Sequence, residues 1–150
     1  MITLLRTTST NNDFIALVKL LDTDLAKRDD DDHAFYAQFN KIDSINYVVV
    51  AYKDNVPIAC GAIKPCNSTT MEIKRMYTAE DYRGKGIASL VLAELEQWAS
   101  QLSYTTCILE TGIKQPEAIK LYEKNGYQNI PNYGQYADVS ESKCFEKHLN

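Results

Sequence analysis

The chain has 150 residues, 45% of them hydrophobic and 24% charged, with a net charge of −4 at pH 7. That length can bury a core without metals or crosslinks, and the acidic balance argues against a nucleic-acid backbone as the default partner. No window reaches the roughly 18 apolar residues that a membrane helix needs, and the opening Met1–Thr7 is too short and wrongly flanked for a signal peptide. Cys60, Cys66, Cys107 and Cys144 are scattered, with no CxxC pair and no clustered histidines. This argues against a metal site or a disulfide framework and predicts the reduced thiols of a cytoplasmic protein.

In chain order, Ile2–Thr7 predicts an opening strand. Thr10–Asp13 is a capping cluster, followed at helical spacing by Phe14, Leu17, Val18, Leu21 and Leu25, with the helix ending at Lys27-Arg28. Asp29–Asp32 is a run of four carboxylates, and a second short helix is expected around His33–Asn40. Ile45–Tyr52 and Val56–Lys64 are β-rich segments joined by the turn signal Asp54-Asn55, and Thr70–Tyr77 follows as a third strand of the meander. After the polar, glycine-bearing Thr78–Lys85, the residues Ile87, Val91, Leu95, Trp98 and Leu102 mark one stripe of an amphipathic helix. Thr105–Thr111 is a buried strand, Pro116 opens a further helix, and Asn125-Gly126 stops it. Tyr127–Ile130 and Lys143–Leu149 are the last strands. The order predicts one α/β domain over residues 1–150, built on a mixed sheet flanked by helices.

The segment Tyr82-Arg83-Gly84-Lys85-Gly86-Ile87-Ala88-Ser89 joins a strand to a helix. A helix start leaves backbone N–H groups unpaired and carries the positive end of the macrodipole, which suits a phosphate. Gly84 and Gly86 let an anion approach the main chain, and Arg83 and Lys85 add cationic donors. A lone GxG is more often an ordinary turn. Two other phosphate motifs fit poorly: a P-loop needs GxxxxGK[ST], and a dinucleotide fingerprint wants Gly or Ala where Ser89 stands.

Arg83-x-x-Gly86-x-Ala88 ahead of an amphipathic helix resembles the signature of the GNAT superfamily of N-acetyltransferases. Gln115-x-x-Ala118-x-x-Leu121-Tyr122-Glu123-Lys124-Asn125-Gly126-Tyr127 is similar to that family's N-x-x-A-x-x-L-Y-x-x-x-G-F stretch, with Gln115 and Tyr127 as mild departures. Ile130–Tyr136 and Cys144–Lys147 also resemble one bacterial subgroup. The resemblance covers about residues 45–149. It implies a sheet splayed between Thr70–Tyr77 and Thr105–Thr111, with acetyl-CoA as cosubstrate. It further implies pyrophosphate contacts from Arg83, Gly84, Lys85, Gly86, Ile87, Ala88 and Ser89. Main-chain contacts to the pantetheine arm would come from Met76, Tyr77 and Thr78, and Gln115 stands at the family's asparagine position.

The reaction so implied is direct attack by a primary amine, of a small molecule or a peptide, on the thioester. An alkyl amine with a pKa of about 10.4 is mostly protonated at neutral pH, so a base must take one proton and an acid must supply another. Tyr122 falls on the family's tyrosine and is the expected acid; by spacing alone it reads as a helix side chain with its hydroxyl in water. Glu72 is the first candidate for the base, with Glu110 or a water chain as alternatives. Each has a plain structural reading: Glu72 paired with Lys74 or Arg75, and Glu110 capping or pairing locally. Tyr133 and Tyr136 either wall the acceptor pocket or pack, His33 and His148 read as surface residues, and Asp29–Asp32 reads as a solvated turn that borders the acceptor site in this family. From cysteine spacing, charge and hydropathy no metal, nucleic acid or membrane is expected, and a homodimer is compatible with the sequence. Two other classes compete: a non-catalytic acyl-CoA-binding module and a nucleotide-binding oxidoreductase domain.

Overall fold

The computed structural model describes residues 1–29 and 44–149. The helix expected around His33–Asn40, the carboxylates Asp30–Asp32 and His33 lie outside the described residues. Seven strands form one open sheet in the order β1-β2-β3-β4-β5-β7-β6. They are β1 (Ile2–Thr7), β2 (Tyr47–Lys53), β3 (Val56–Pro65), β4 (Thr70–Thr78), β5 (Thr106–Gly112), β6 (Gln128–Ile130) and β7 (Ser142–His148). Among the described residues three α-helices accompany them: α1 (Asn12–Asp29), α2 (Ile87–Gln101) and α3 (Pro116–Lys124). Neighbouring strands are antiparallel except β4 and β5, which are parallel. A parallel pair needs a long crossover, and α2 lies within it. None of the described helices is long and apolar enough to cross a membrane.

The sheet is buried on two faces, and period-two alternation sorts its side chains between them. Val48, Val50, Cys60 and Ala62 form a cluster with Phe14, Leu17 and Val18 of α1. Val49, Ala51, Ala59, Ile63, Met71 and Ile73 point the other way, onto Ile87, Val91, Leu92, Leu95 and Ala99 of α2. Burying each such aliphatic side chain contributes roughly 1.5–3 kcal/mol. Asn11 caps α1: its Oδ1 accepts the N–H groups of Asp13 at 2.9 Å and Phe14 at 3.0 Å. The stripe on α2 is buried at Ile87, Val91 and Leu95 but not at its C-terminal end. Trp98 is half-buried, edge-on to Tyr47 at 5.3 Å and under the Arg6 guanidinium at 4.9 Å. Leu102 falls just past the helix and is 36% exposed. Helix α1 runs through Asp29, one residue beyond the expected Lys27-Arg28 end.

Gly61 continues the Ala59–Ile63 face toward α2, and the helix sits close because no side chain intervenes. A Cβ there would meet Met76 Sδ at 2.5 Å, Leu95 Cδ1 at 2.9 Å and Val91 Cγ1 at 3.1 Å. Gly61→Ala therefore overpacks the seam between sheet and helix, with an expected loss of about 1–3 kcal/mol in urea unfolding. A stability within 0.5 kcal/mol of wild type, about the size of an ordinary surface effect, would show that Met76 and α2 yield freely.

Candidate active site

The site begins where two neighbouring strands part. β4 and β5 pair only at Thr70↔Thr106, Met71↔Cys107 and Glu72↔Ile108, although β4 runs on to Thr78 and β5 to Gly112. Beyond Glu72, β4 follows β3 as far as Ala59↔Thr78, while β5 follows β7 as far as Gly112↔Ser142. Each strand thus stays with its own half-sheet, and a cleft opens between them.

A bulge in β4 marks the same place. Opposite Cys60–Ala62 of β3, the partners jump from Tyr77 to Lys74, so β4 carries one residue more than β3 can pair. Arg75 absorbs the excess with φ 60°, a left-handed conformation costly for a side chain with a Cβ. The edge of β4 that faces the cleft, Ile73–Thr78, makes no ladder with β5. Its main-chain groups at Met76, Tyr77 and Thr78 therefore lie along the cleft without a strand partner on that side.

The turn before α2 is the second component. Gly86 caps the helix at φ 79°, and Gly84 has φ 75°. A Cβ built on either glycine would meet nothing within 4 Å. Both line a groove with Arg83, Ile87, Ala88 and Ser89, and Met76, Tyr77 and Thr78 form its strand side. Helix α3 and its N-cap Gln115 supply the opposite wall, the helix through Ala118, Leu121 and Tyr122. The side chain of Lys85 is not part of this lining; its Nζ lies 5.7 Å from the Tyr82 ring centroid. Arg83 bends back across β4: its Nε donates to the Thr78 carbonyl at 2.8 Å, its Nη2 lies 3.6 Å from Asp24 Oδ2, and its guanidinium covers the Tyr77 ring. Asn125 ties the two helices together by donating to Ser89 Oγ at 3.1 Å and to the Leu121 carbonyl at 2.8 Å.

Deeper in the cleft lies a more polar cavity of about 100 Å³. It contains Glu72, Lys74 and Arg75 of β4, Glu110 and Thr111 of β5, and Leu21 and Leu25 of α1. Tyr122 is buried here, not a solvated helix side chain. Its ring meets Tyr127 at 5.8 Å and Phe145 at 6.3 Å, and it lines both the groove and the cavity. Burial first, then the charge of Glu110, pushes the Tyr122 hydroxyl well above the ordinary phenol range, so it holds its proton at neutral pH.

Both acidic candidates sit at this cavity, and each accepts a hydrogen bond from a residue outside its lining. Tyr133 donates its hydroxyl to Glu72 Oε2 at 2.8 Å, and Lys74 Nζ lies 3.5 Å from Glu72 Oε1. Ser142 donates to Glu110 Oε2 at 2.7 Å. Tyr136 is buried, lines the cavity and packs edge-on to Tyr133 at 5.8 Å. Asn132 fixes the loop carrying both tyrosines by donating to the carbonyls of Val139 at 2.9 Å and Ser142 at 3.0 Å. His148 is exposed at the far end of β7. Of the cosubstrate and catalytic residues expected from the sequence, Lys85 alone lies outside both linings.

Sequence reading missed Gly61, Asp24, Ser142 and the bulge at Arg75. Gly61 carried a usable signal, because a glycine inside a strand marks a bulge or a close approach. The others depend on contacts distant in sequence.

A model of the "Acetyltransferase (GNAT) family" matches residues 14–127. An IAA acetyltransferase of Azospirillum brasilense is 31% identical over 102 residues, 67% of this chain and 67% of that protein. A solved structure of a proposed acyl-CoA N-acyltransferase from Klebsiella pneumoniae superposes with a TM-score of 0.84 at 29% identity, covering 100% of this chain and 99% of that one. A GNAT family acetyltransferase from Elizabethkingia anophelis, solved with acetyl-CoA bound, shares the fold with a TM-score of 0.71 at 18% identity over 99% of this chain and 98% of its own. The chain belongs to the GNAT acetyltransferase family. Its enzyme class is that of the acetyl-CoA-dependent N-acetyltransferases, and its open mixed sheet is the fold of that family.

Proposed function

We propose that this chain, acting as one catalytic domain in the cytoplasm, moves an acetyl group from acetyl-CoA to a primary amine by direct attack. One observation carries the reading: Met76, Gln115, Ala118 and Tyr122 line both the groove and the polar cavity. A cosubstrate in the groove and an acceptor in the cavity would therefore meet beside the Tyr122 hydroxyl.

The groove suits the cosubstrate chemically. The empty space over Gly84 and Gly86 leaves room for phosphate oxygens against the main chain. The first-turn N–H groups of Ile87, Ala88 and Ser89 have no carbonyl one turn earlier to bond. Arg83 would turn from the Thr78 carbonyl and Asp24 toward the added negative charge. Met76, Tyr77 and Thr78 offer an unpaired strand edge to an extended amide chain, and the Met76 N–H would polarise the acetyl carbonyl. When bound, acetyl-CoA supplies the activated acetyl group.

The proton bookkeeping then falls to this chain. The amine nitrogen forms the new N–C bond as the C–S bond breaks, and Tyr122 delivers its proton to the departing sulfur. Glu72 takes the proton that the amine gives up, directly or through water, with Tyr133 holding its carboxylate in place. Glu110 is the alternative base.

Binding and turnover test the reading separately. At acetyl-CoA about 100-fold above its dissociation constant, linkage adds about 2.7 kcal/mol of stability, read as a rise in the unfolding midpoint. The same concentration of NAD or ATP should leave the midpoint nearly unchanged. Thiol release over an amine panel should then follow acceptor concentration. A stabilised protein that releases no thiol with any amine would be an acyl-CoA-binding module and not an enzyme.

A further inference from the structure

The inner cavity holds charges of both signs: Glu72 and Glu110 against Lys74 and Arg75. Burying a cation in a small cavity is costly and is offset only by groups of opposite charge. Arg75 is 5% exposed, and the Lys74 side chain 13%. The Arg75 backbone is also strained at φ 60°, and such strain persists where the surroundings over-determine a conformation, commonly at ligand clamps. A simple alkyl ammonium would suit the two carboxylates but would meet two cations of its own sign. A molecule carrying an ammonium and a carboxylate matches the lining at both ends.

Resting on the acetyltransferase reading, we propose that the acceptor is a zwitterion, a small aminocarboxylic acid. Its carboxylate is drawn to Lys74 and Arg75, and its amine faces Glu110 and Tyr122, a pose in which Glu110, the alternative base, takes the amine's proton and Glu72 instead holds Lys74. Lys74 and Arg75 come from β4 and Glu110 from β5, so an acceptor with both charges would span the cleft between the two strands. Glu110 and Tyr122 line the same cavity, and Tyr122 also lines the groove, so theirs is the end where the amine must react. A volume of about 100 Å³ fits one small molecule. Lys74 and Arg75 are then specificity residues: they read a group that takes no part in bond making.

The test compares amino acids with their own carboxamides as acceptors, following thiol release from acetyl-CoA. The amide keeps the amine and side chain and loses only the negative charge. Its amine is less basic, so more of it is unprotonated at neutral pH, which biases the comparison against the acid. The acid should nevertheless have the higher kcat/KM, by about tenfold or more, chiefly through a lower KM. Lys74→Gln and Arg75→Gln should each shrink that ratio; because Arg75 is buried in a strained bulge, Lys74→Gln decides if the arginine variant fails to fold. Amides used as well as acids, or a ratio untouched by Lys74→Gln, would overturn the proposal while leaving the acetyltransferase intact. No thiol release with any amine, acid or amide, would instead overturn the enzymatic reading and this proposal with it.

Discussion

Tyr122→Phe should lower kcat by roughly 10²-fold, the lower range for loss of a general acid, and leave coenzyme A binding nearly unchanged. The substitution removes one hydroxyl from a ring packed by Tyr127 and Phe145, so the buried surface that holds α3 survives. Cosubstrate affinity should persist because the groove's anion-binding face belongs to the Gly84–Ser89 turn, on the far side of the cleft from α3. The loss should depend on the donor: a thioester with a more acidic leaving thiol needs less protonation and should recover much of the rate. Burial and Glu110 hold the wild-type hydroxyl above the ordinary phenol pKa, so its proton is present throughout the neutral range and is lost only in strong alkali. The wild-type rate should therefore show no fall from this group up to about pH 10, the ordinary value it exceeds. A Tyr122→Phe enzyme within twofold of wild type would assign the proton to water.

The elements that could be read from the chain are those whose chemistry is local. Pro116 occupies the first turn of α3 because its missing N–H is not needed there. Gly84 and Gly86 take positive φ in the turn that opens α2, which is the property the glycines announced. The two faces of the sheet follow from alternation along Val48–Ala51. The site's inner half was less legible for the same physical reason. Tyr133 reaches Glu72 across 61 residues, and Ser142 reaches Glu110 across 32, so neither partner is marked by its neighbours in sequence. The Arg75 bulge is invisible because nothing in Ile73-Lys74-Arg75-Met76 signals a left-handed residue; it arises from the mismatch between β3 and β4. Lys85 is read from the sequence as a phosphate ligand because it is a cation between two glycines; in the structure its ammonium stands 5.7 Å from the Tyr82 ring centroid.

Gly86→Val should weaken acetyl-CoA binding by about 100-fold, equivalent to ~2.7 kcal/mol. Two effects contribute, and the structure lets them be separated. The first is backbone strain: at φ 79° any residue with a Cβ pays roughly 1–2 kcal/mol, and a β-branched one more, so the turn itself should lose stability. The second is obstruction. The position has no atom within 4 Å of an added Cβ, so the new side chain would stand in the groove, against the N–H groups that open α2. Gly86→Ala carries the same kind of strain with a smaller obstruction and should bind between wild type and valine. Gly126→Ala provides the control for strain alone. It has φ 91° and ends α3 outside the groove, where its Cβ would meet the Lys147 side chain at 3.6 Å. That variant should lose stability yet retain affinity for coenzyme A. Calorimetric titration of the three proteins, each checked by circular dichroism, separates the effects. If the Gly126→Ala and Gly86→Val proteins lose affinity equally, the glycines serve the fold and not the anion. If Gly86→Val binds coenzyme A like wild type, the turn before α2 does not hold the pyrophosphate.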